Sequence, residues 1–228
     1  MATETSSALR EYSLARAPQI SPGAIIGTAA GLTLRYASDS DADAIVNLVS
    51  LVWSEYPGKT LVAANDMPEL LAPASAYARC GGVFWVVEAH GEIIGTVALA
   101  PSAEAGVAEL QKLYVAHDMR KNGLGTFLCH LVEREARERG AHAVELWSDV
   151  KLLDAHRRYE RLGYRRGDML KTYNDTSSTV RFYYRKELDA VQPGVPPQTI
   201  AAPDFDRRWQ ALFHSPAQHA PAQEVAKP

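Results

Sequence analysis

The sequence predicts an α/β domain of about seven strands and about four helices, and three observations predict it. Between residues 32 and 188 the apolar pattern alternates repeatedly between the period of two that marks strands and the 3.6 period that marks helices. One stretch, Glu109 to Gly140, carries a strand through a polar turn and two glycines into a long amphipathic helix. Finally, a chain of 228 residues with 46% hydrophobic content can bury a sizeable core, and one domain with tails is its simplest division.

The elements follow in order. Residues 1–30 are rich in Ala, Ser, Thr, Gly and Pro, show no sustained period, and read as an N-terminal extension. The domain spans 31–189 and opens with an alternating strand, Leu32 to Tyr36. A helix follows: Ser38 and Asp41 make a capping box, and Ile45, Leu48, Val49, Val52 and Trp53 form its apolar stripe. It ends near Trp53–Thr60. Gly58-Lys59-Thr60 looks like the end of a phosphate-binding P-loop, but that motif needs a glycine where Trp53 stands, so the nucleotide-triphosphatase reading fails. Residues 66–80 suggest one helix, or two short ones interrupted at Pro73, closed by Cys80-Gly81-Gly82.

The period then changes. Val83–Glu88 and Ile93–Ala100 are strands joined by a His90-Gly91 hairpin turn, and Val107–Val115 is a third. In the long helix Leu124, Phe127, Leu128, Leu131, Val132 and Ala136 share a face, and Gly140 is the stop. Ala143–Trp147 is a short strand, Leu153–Leu162 a helix ended by Gly163, and Tyr164 onward with Thr179–Lys186 a last pair of strands. Residues 190–228 form a Pro-rich tail. Within it Asp204 can cap a short helix near 204–213 whose Phe205, Trp209, Leu212 and Phe213 share a face, and that face is expected to dock on its own domain or on a second copy of the chain as a homodimer.

Composition excludes several function classes. A net charge of -3 and a pI near 6.2 leave no basic excess to hold nucleic acid. No membrane segment is expected, because the apolar run from Ala24 to Leu34 is broken by Gly27 and Gly31 and falls short of the roughly 20 residues a spanning helix needs. No targeting signal stands out. Cys80 and Cys129 are far apart and make no metal spacing, which suits a reducing cytoplasm. His214 and His219 lack a third ligand nearby, so no metal is expected.

The chemistry lies at the helix entrance, Arg120-Lys121-Asn122-Gly123-Leu124-Gly125. Unpaired amides and the positive end of the helix dipole point into space that no side chain fills, and Arg120 and Lys121 add two cations, which together suit a diphosphate. By themselves the six residues also describe an ordinary helix start with solvated basic side chains. An Arg-x-x-Gly-x-Gly run after a strand and before an amphipathic helix resembles the acetyl-coenzyme A binding motif of the GNAT superfamily of N-acetyltransferases. The element order from about Leu32 to Leu188 matches the arrangement of that superfamily, in which helices flank a mixed central sheet. The helix Asp154 to Gly163 followed by Tyr164 is similar to its Ala-x-x-x-Tyr-x-x-x-Gly-aromatic signature, with Tyr159 as the tyrosine; Leu152 stands where the family often has an asparagine.

The resemblance implies an acyltransferase that uses acetyl-coenzyme A as acetyl donor and an amine-bearing small molecule or protein amine as acceptor. It implies main-chain contacts from Leu113, Tyr114 and Val115 to the pantetheine arm, and a diphosphate held by Arg120, Lys121, Asn122, Gly123, Leu124, Gly125 and Thr126. Glu109, eleven residues before Arg120, takes the general-base role, acting through a water, with a solvated strand glutamate as the alternative. Tyr159 takes that of general acid, with a core tyrosine as the alternative. Trp53 and Tyr56 fall where the family lines its acceptor pocket. His156 shares the face of Tyr159 and reads as an ordinary polar helix residue, and Cys129 as a buried thiol. Two rivals are an NAD-binding oxidoreductase, built on Gly123-x-Gly125 with Glu145 about twenty residues on, and a non-catalytic acetyl-coenzyme A sensor. The first lacks its third glycine, since position 128 is Leu; the second needs neither Glu109 nor Tyr159.

Overall fold

The structure, a computed structural model, describes residues 20–29 and 31–189. Most of the N-terminal extension, the tail from 190 and the expected 204–213 helix lie outside the described residues. The strands are β1 (Ile25–Ala29), β2 (Leu32–Tyr36), β3 (Val83–Ala89), β4 (Glu92–Pro101), β5 (Val107–Val115), β6 (Ala143–Asp149), β7 (Arg165–Thr172) and β8 (Val180–Glu187). They form one sheet in the order β1-β2-β3-β4-β5-β6-β8-β7. Every neighbouring pair is antiparallel except β5 and β6, which are parallel, so the sheet is mixed.

Seven of these strands are those that the sequence pattern predicts. The eighth, β1, lies in the segment read as extension. It is an edge strand with Ile25 and Ile26 exposed and a register shift between Ile25 and Gly27, so no buried face imprints a period on it.

The helices are α1 (Ala42–Ser54), α2 (Ala63–Asp66), α3 (Pro73–Arg79), α4 (Leu124–Glu138) and α5 (Leu153–Arg161), with single 3-10 turns at Asp39–Asp41, Pro68–Leu71 and His117–Met119. The capping box forms as expected: the Ser38 amide and hydroxyl both donate to the Asp41 carboxylate, at 2.7 and 3.1 Å. Arg35 binds that carboxylate with both terminal nitrogens and Glu88 with Nε, which ties the start of α1 to β2 and β3. The two short helical pieces expected around Pro73 form: the 3-10 turn Pro68–Leu71 ends at Ala72 and Pro73 opens α3, because a first-turn proline loses no helical hydrogen bond.

The sheet divides two cores. On one face Leu124, Leu128 and Val132 of α4 and Tyr159 of α5 pack on Trp85, Val97, Leu110 and Leu146. On the other, Ile45, Val49 and Trp53 of α1 and Tyr77 of α3 pack on Phe84, Val86 and Ala98. The functional geometry begins at the parallel pair. Only Val107–Glu109 pair with Ala143–Glu145; beyond Glu109 and Glu145 the two strands share no further ladder pairs, which leaves the facing edge of β5 open.

Candidate active site

A bulge re-aims the end of β5. Lys112 has φ +51, the β4–β5 register shifts between Thr96 and Ala98, and Thr96 Oγ1 donates to the Lys112 carbonyl at 2.8 Å. Leu113, Tyr114 and Val115 then continue beside the gap, with Val115 paired to Gly95 and Tyr114 to Thr96 on the opposite side. A cavity of about 230 Å³ occupies the region and is lined by Glu109, Leu113, Tyr114 and Tyr159, with Trp53 and Tyr56 from the end of α1.

Gly123 caps α4 in the left-handed conformation, φ +89, with nothing within 4 Å of where a Cβ would sit. No side chain caps the helix, and the first amide of the turn to find a helical partner is that of Phe127, on the Gly123 carbonyl. The amides of Leu124, Gly125 and Thr126 are therefore left without intrahelical acceptors at the positive end of the dipole. The Leu124 side chain is buried in the core, so its contribution to this turn is its backbone. Lys121 is exposed with φ +63, and Asn122 is half-buried beside it.

Arg120 is placed differently from a loose phosphate ligand. Its Nε donates to the Val115 carbonyl at 3.0 Å, and its two terminal nitrogens hold both oxygens of Glu55 at 2.5 and 2.7 Å. Its charge is already matched. Arg158 of α5 is the cation that composition alone does not reveal: its guanidinium lies so close over Gly125 that a Cβ there would meet Cζ at 2.7 Å. Among the described residues it has no hydrogen bond or ion pair. Only its position in the helix of Tyr159 hints at this, since Arg158 directly precedes that tyrosine.

Glu109 faces Glu145 directly across the parallel ladder. Glu145 is held by Ser102 Oγ at 2.6 Å and the Tyr183 hydroxyl at 2.9 Å, so it is well satisfied as an anion. Burial pushes the Glu109 pKa up and the charge of Glu145 adds to this, against a lowering hydrogen bond from Gln111, which itself accepts from Tyr77 at 2.7 Å. A carboxylate raised in this way is a better match for an amine proton. It also has a stability signature. Folded protein holds this proton more tightly than unfolded protein, so stability falls as pH rises from the ordinary carboxylate range through the raised value. Glu109→Gln is expected to flatten that part of the stability–pH curve and to raise the melting temperature at neutral pH; thermal unfolding of both proteins from acid to neutral pH checks it.

Tyr159 is buried, its ring packed 5.8 Å from both Tyr164 and Tyr184, and its hydroxyl has no hydrogen-bond partner among the described residues. Burial drives its pKa far up, with Arg158 pulling the other way, so the phenol stays protonated. Trp53 donates through Nε1 to the Tyr114 hydroxyl at 3.4 Å, and Tyr56 is half-buried. His156 is buried, not an ordinary surface residue: its Nε2 meets the Asp149 carbonyl at 2.9 Å, and its ring packs on Phe182 and Tyr184. Cys129 is fully buried and its thiol is pushed up to about 12, which removes it as a nucleophile.

The P-loop look-alike is accounted for by Lys59, which forms a buried ion pair with Asp149 and donates to Thr179 Oγ1 at 2.6 Å. The dinucleotide rival loses its frame, since the sheet has one parallel pair rather than a doubly wound run and Glu145 lies against Glu109. Among the described residues no group of three or more His, Cys, Asp or Glu is placed to hold a metal, and no helix is long and apolar enough to cross a membrane.

Comparison with known proteins adds to this geometry. A family model described as "Acetyltransferase (GNAT) family" matches residues 45–164. The chain is 34% identical over 131 residues to the uncharacterized N-acetyltransferase YjgM of Escherichia coli (strain K12), spanning 54% of this chain and 76% of that protein. It is 31% identical over 136 residues to aminoalkylphosphonate N-acetyltransferase of Salmonella typhimurium (strain LT2), spanning 58% of this chain and 84% of the relative. Among solved structures, the PaiA N-acetyltransferase of Thermoplasma acidophilum in complex with coenzyme A superposes with a TM-score of 0.56 at 18% identity, covering 69% of this chain and 99% of that one.

Proposed function

The chain belongs to the acetyltransferase (GNAT) family, and from that premise we propose that it moves an acetyl group from acetyl-coenzyme A directly to a primary amine, with Glu109 as general base and Tyr159 as general acid. The observation that carries the reading is that Glu109, Tyr159 and the open edge of β5 line one cavity. The relative named for an aminoalkylphosphonate supports an aliphatic amine as acceptor.

The residues fit the donor. Unpaired amides at Leu124 to Thr126, with Gly123 leaving the approach open, suit a diphosphate, and the free edge of β5 at Leu113 to Val115 suits an extended amide-bearing arm. Lys121 and Arg158 supply positive charge there, while Arg120 braces the loop through Glu55 and Val115. When bound, acetyl-coenzyme A supplies an acetyl group activated as a thioester.

The chain's own groups handle the protons. Glu109, raised by burial and by Glu145, accepts the proton of the incoming ammonium, and Gln111 holds its carboxylate in place. The Tyr159 hydroxyl, protonated and without a competing hydrogen bond among the described residues, is the donor to the departing sulfur. No acyl-enzyme is required, since the cysteine that α4 carries is buried and protonated.

Titration calorimetry with acetyl-coenzyme A and with NAD tests the donor site. Saturable heat with the first and none with the second is expected; the reverse result would sink the acyltransferase reading.

A further inference from the structure

The same cavity holds a charge pattern that this proton chemistry does not use. Of its four carboxylates, three are committed. Asp149 is held by Lys59 and by the Lys151 amide at 2.9 Å, Glu69 by Lys112 at 2.5 Å, and Asp66 by the amides of Val62 and Thr176 at 2.7 and 2.8 Å. The fourth is Glu109. Of the four cations, Lys59 and Lys112 are matched by those carboxylates, and Lys151 donates to the Pro57 carbonyl at 2.9 Å. That leaves Arg181. Among the described residues its guanidinium has no hydrogen bond and no ion pair, and it lies on the ring of Tyr173, 4.1 Å from the centroid.

Its neighbours sharpen the point. Asp149, opposite Arg181 in the β6–β8 ladder, has both carboxylate oxygens engaged elsewhere. Opposite it in the β7–β8 ladder is Lys171, a second cation, 5.0 Å from the same Tyr173 ring and 5.6 Å from that of Trp147. Like charges facing each other across a ladder repel, and an anion between them would relieve the repulsion through charge-assisted hydrogen bonds. The aromatic rings hold both cations in place for it. Arg181 and Glu109 line the same cavity, and Lys171 is within electrostatic reach of Glu109. Glu109 is level with Glu145 and Arg181 with Asp149, four residues further along β6 or about 13 Å of strand. Two side chains reaching inward shorten that to the span of a small molecule, in keeping with a cavity of about 230 Å³.

Resting on the acetyltransferase reading above, we propose that the acceptor is a small amine that also carries an anionic group, carboxylate or phosphonate, a few bonds from its nitrogen. Arg181 binds the anion with Lys171 beside it, while the amine meets Glu109.

Matched acceptors test it: butylamine, γ-aminobutyrate and aminopropylphosphonate, with free thiol release from acetyl-coenzyme A as the readout. In the wild type at least one of the two anionic amines is expected to exceed butylamine by about tenfold or more in kcat/KM, chiefly through KM, the gain from one charge-assisted contact. Which of the two leads identifies the anion. In Arg181→Ala the ratio of anionic to neutral amine should collapse towards one, and Arg181→Lys should restore part of it. Propylphosphonate, the anion without the amine, should inhibit the wild type competitively with the amine, a measurement that needs no variant to fold. Equal use of all three amines, or a ratio unmoved in Arg181→Ala, overturns the proposal and leaves the acetyltransferase reading standing. Release with a peptide amine but with none of the three also overturns it. If no amine of any kind supports release, both readings fall.

Discussion

Gly123→Asp is expected to yield a folded protein that has lost acetyl-coenzyme A affinity by a factor of about a hundred or more. An aspartate at this helix entrance would meet the diphosphate at close range. Two unit charges about 4 Å apart repel by roughly 4 kcal/mol at an effective dielectric of about 20, and about 2.7 kcal/mol already amounts to a hundredfold. The fold should survive the change. The left-handed backbone, φ +89, costs a non-glycine residue about 1 to 2 kcal/mol, and a carboxylate at the positive helix end returns part of it. The new Cβ meets nothing within 4 Å. Calorimetry measures the affinity, thermal unfolding the stability, and Gly123→Ala separates backbone strain from charge. Unchanged affinity in a folded Gly123→Asp would mean that the loop is structural.

Tyr159→Phe is expected to lower turnover by about 100 to 10,000-fold, the usual contribution of a positioned acid, with little change in cofactor affinity. The ring, which packs on Tyr164 and Tyr184, is retained, and the lost hydroxyl has no hydrogen-bond partner among the described residues, so the fold has no reason to shift. The two variants thus divide the site. One weakens binding and spares the proton chemistry; the other does the reverse. Single-turnover measurements at saturating acetyl-coenzyme A read the second effect directly, and wild-type turnover in Tyr159→Phe would assign the proton to water.

What the sequence makes legible here is what is local along the chain. The Ser38–Asp41 capping box, the His90-Gly91 turn and the glycine entrance to α4 are each fixed by residues a few positions apart, and all three form as expected. What it hides are pairings between distant residues. The Arg120–Glu55 ion pair joins the loop before α4 to the end of α1, and nothing in either segment's periodicity announces it. Glu109 and Glu145 become neighbours only because two parallel strands register there, and Arg181 has no ion pair among the described residues while its ladder partner Asp149 is held by Lys59. The edge strand β1 is hidden for another reason: it is held by backbone hydrogen bonds, which carry no side-chain pattern.

The proposed function rests on Glu109 taking a proton from an amine that attacks acetyl-coenzyme A. The most direct test is the pH dependence of amine-dependent thiol release, with the acetylated amine identified by mass, for the wild type and Glu109→Gln. In the wild type kcat/KM is expected to fall at low pH as Glu109 is protonated, at a value above the ordinary carboxylate range. In Glu109→Gln release should be strongly reduced at neutral pH and partly restored at high pH, where the amine loses its proton unaided. Overlapping profiles for the two proteins, with one acetylated amine formed per thiol in each, would contradict the role given to Glu109.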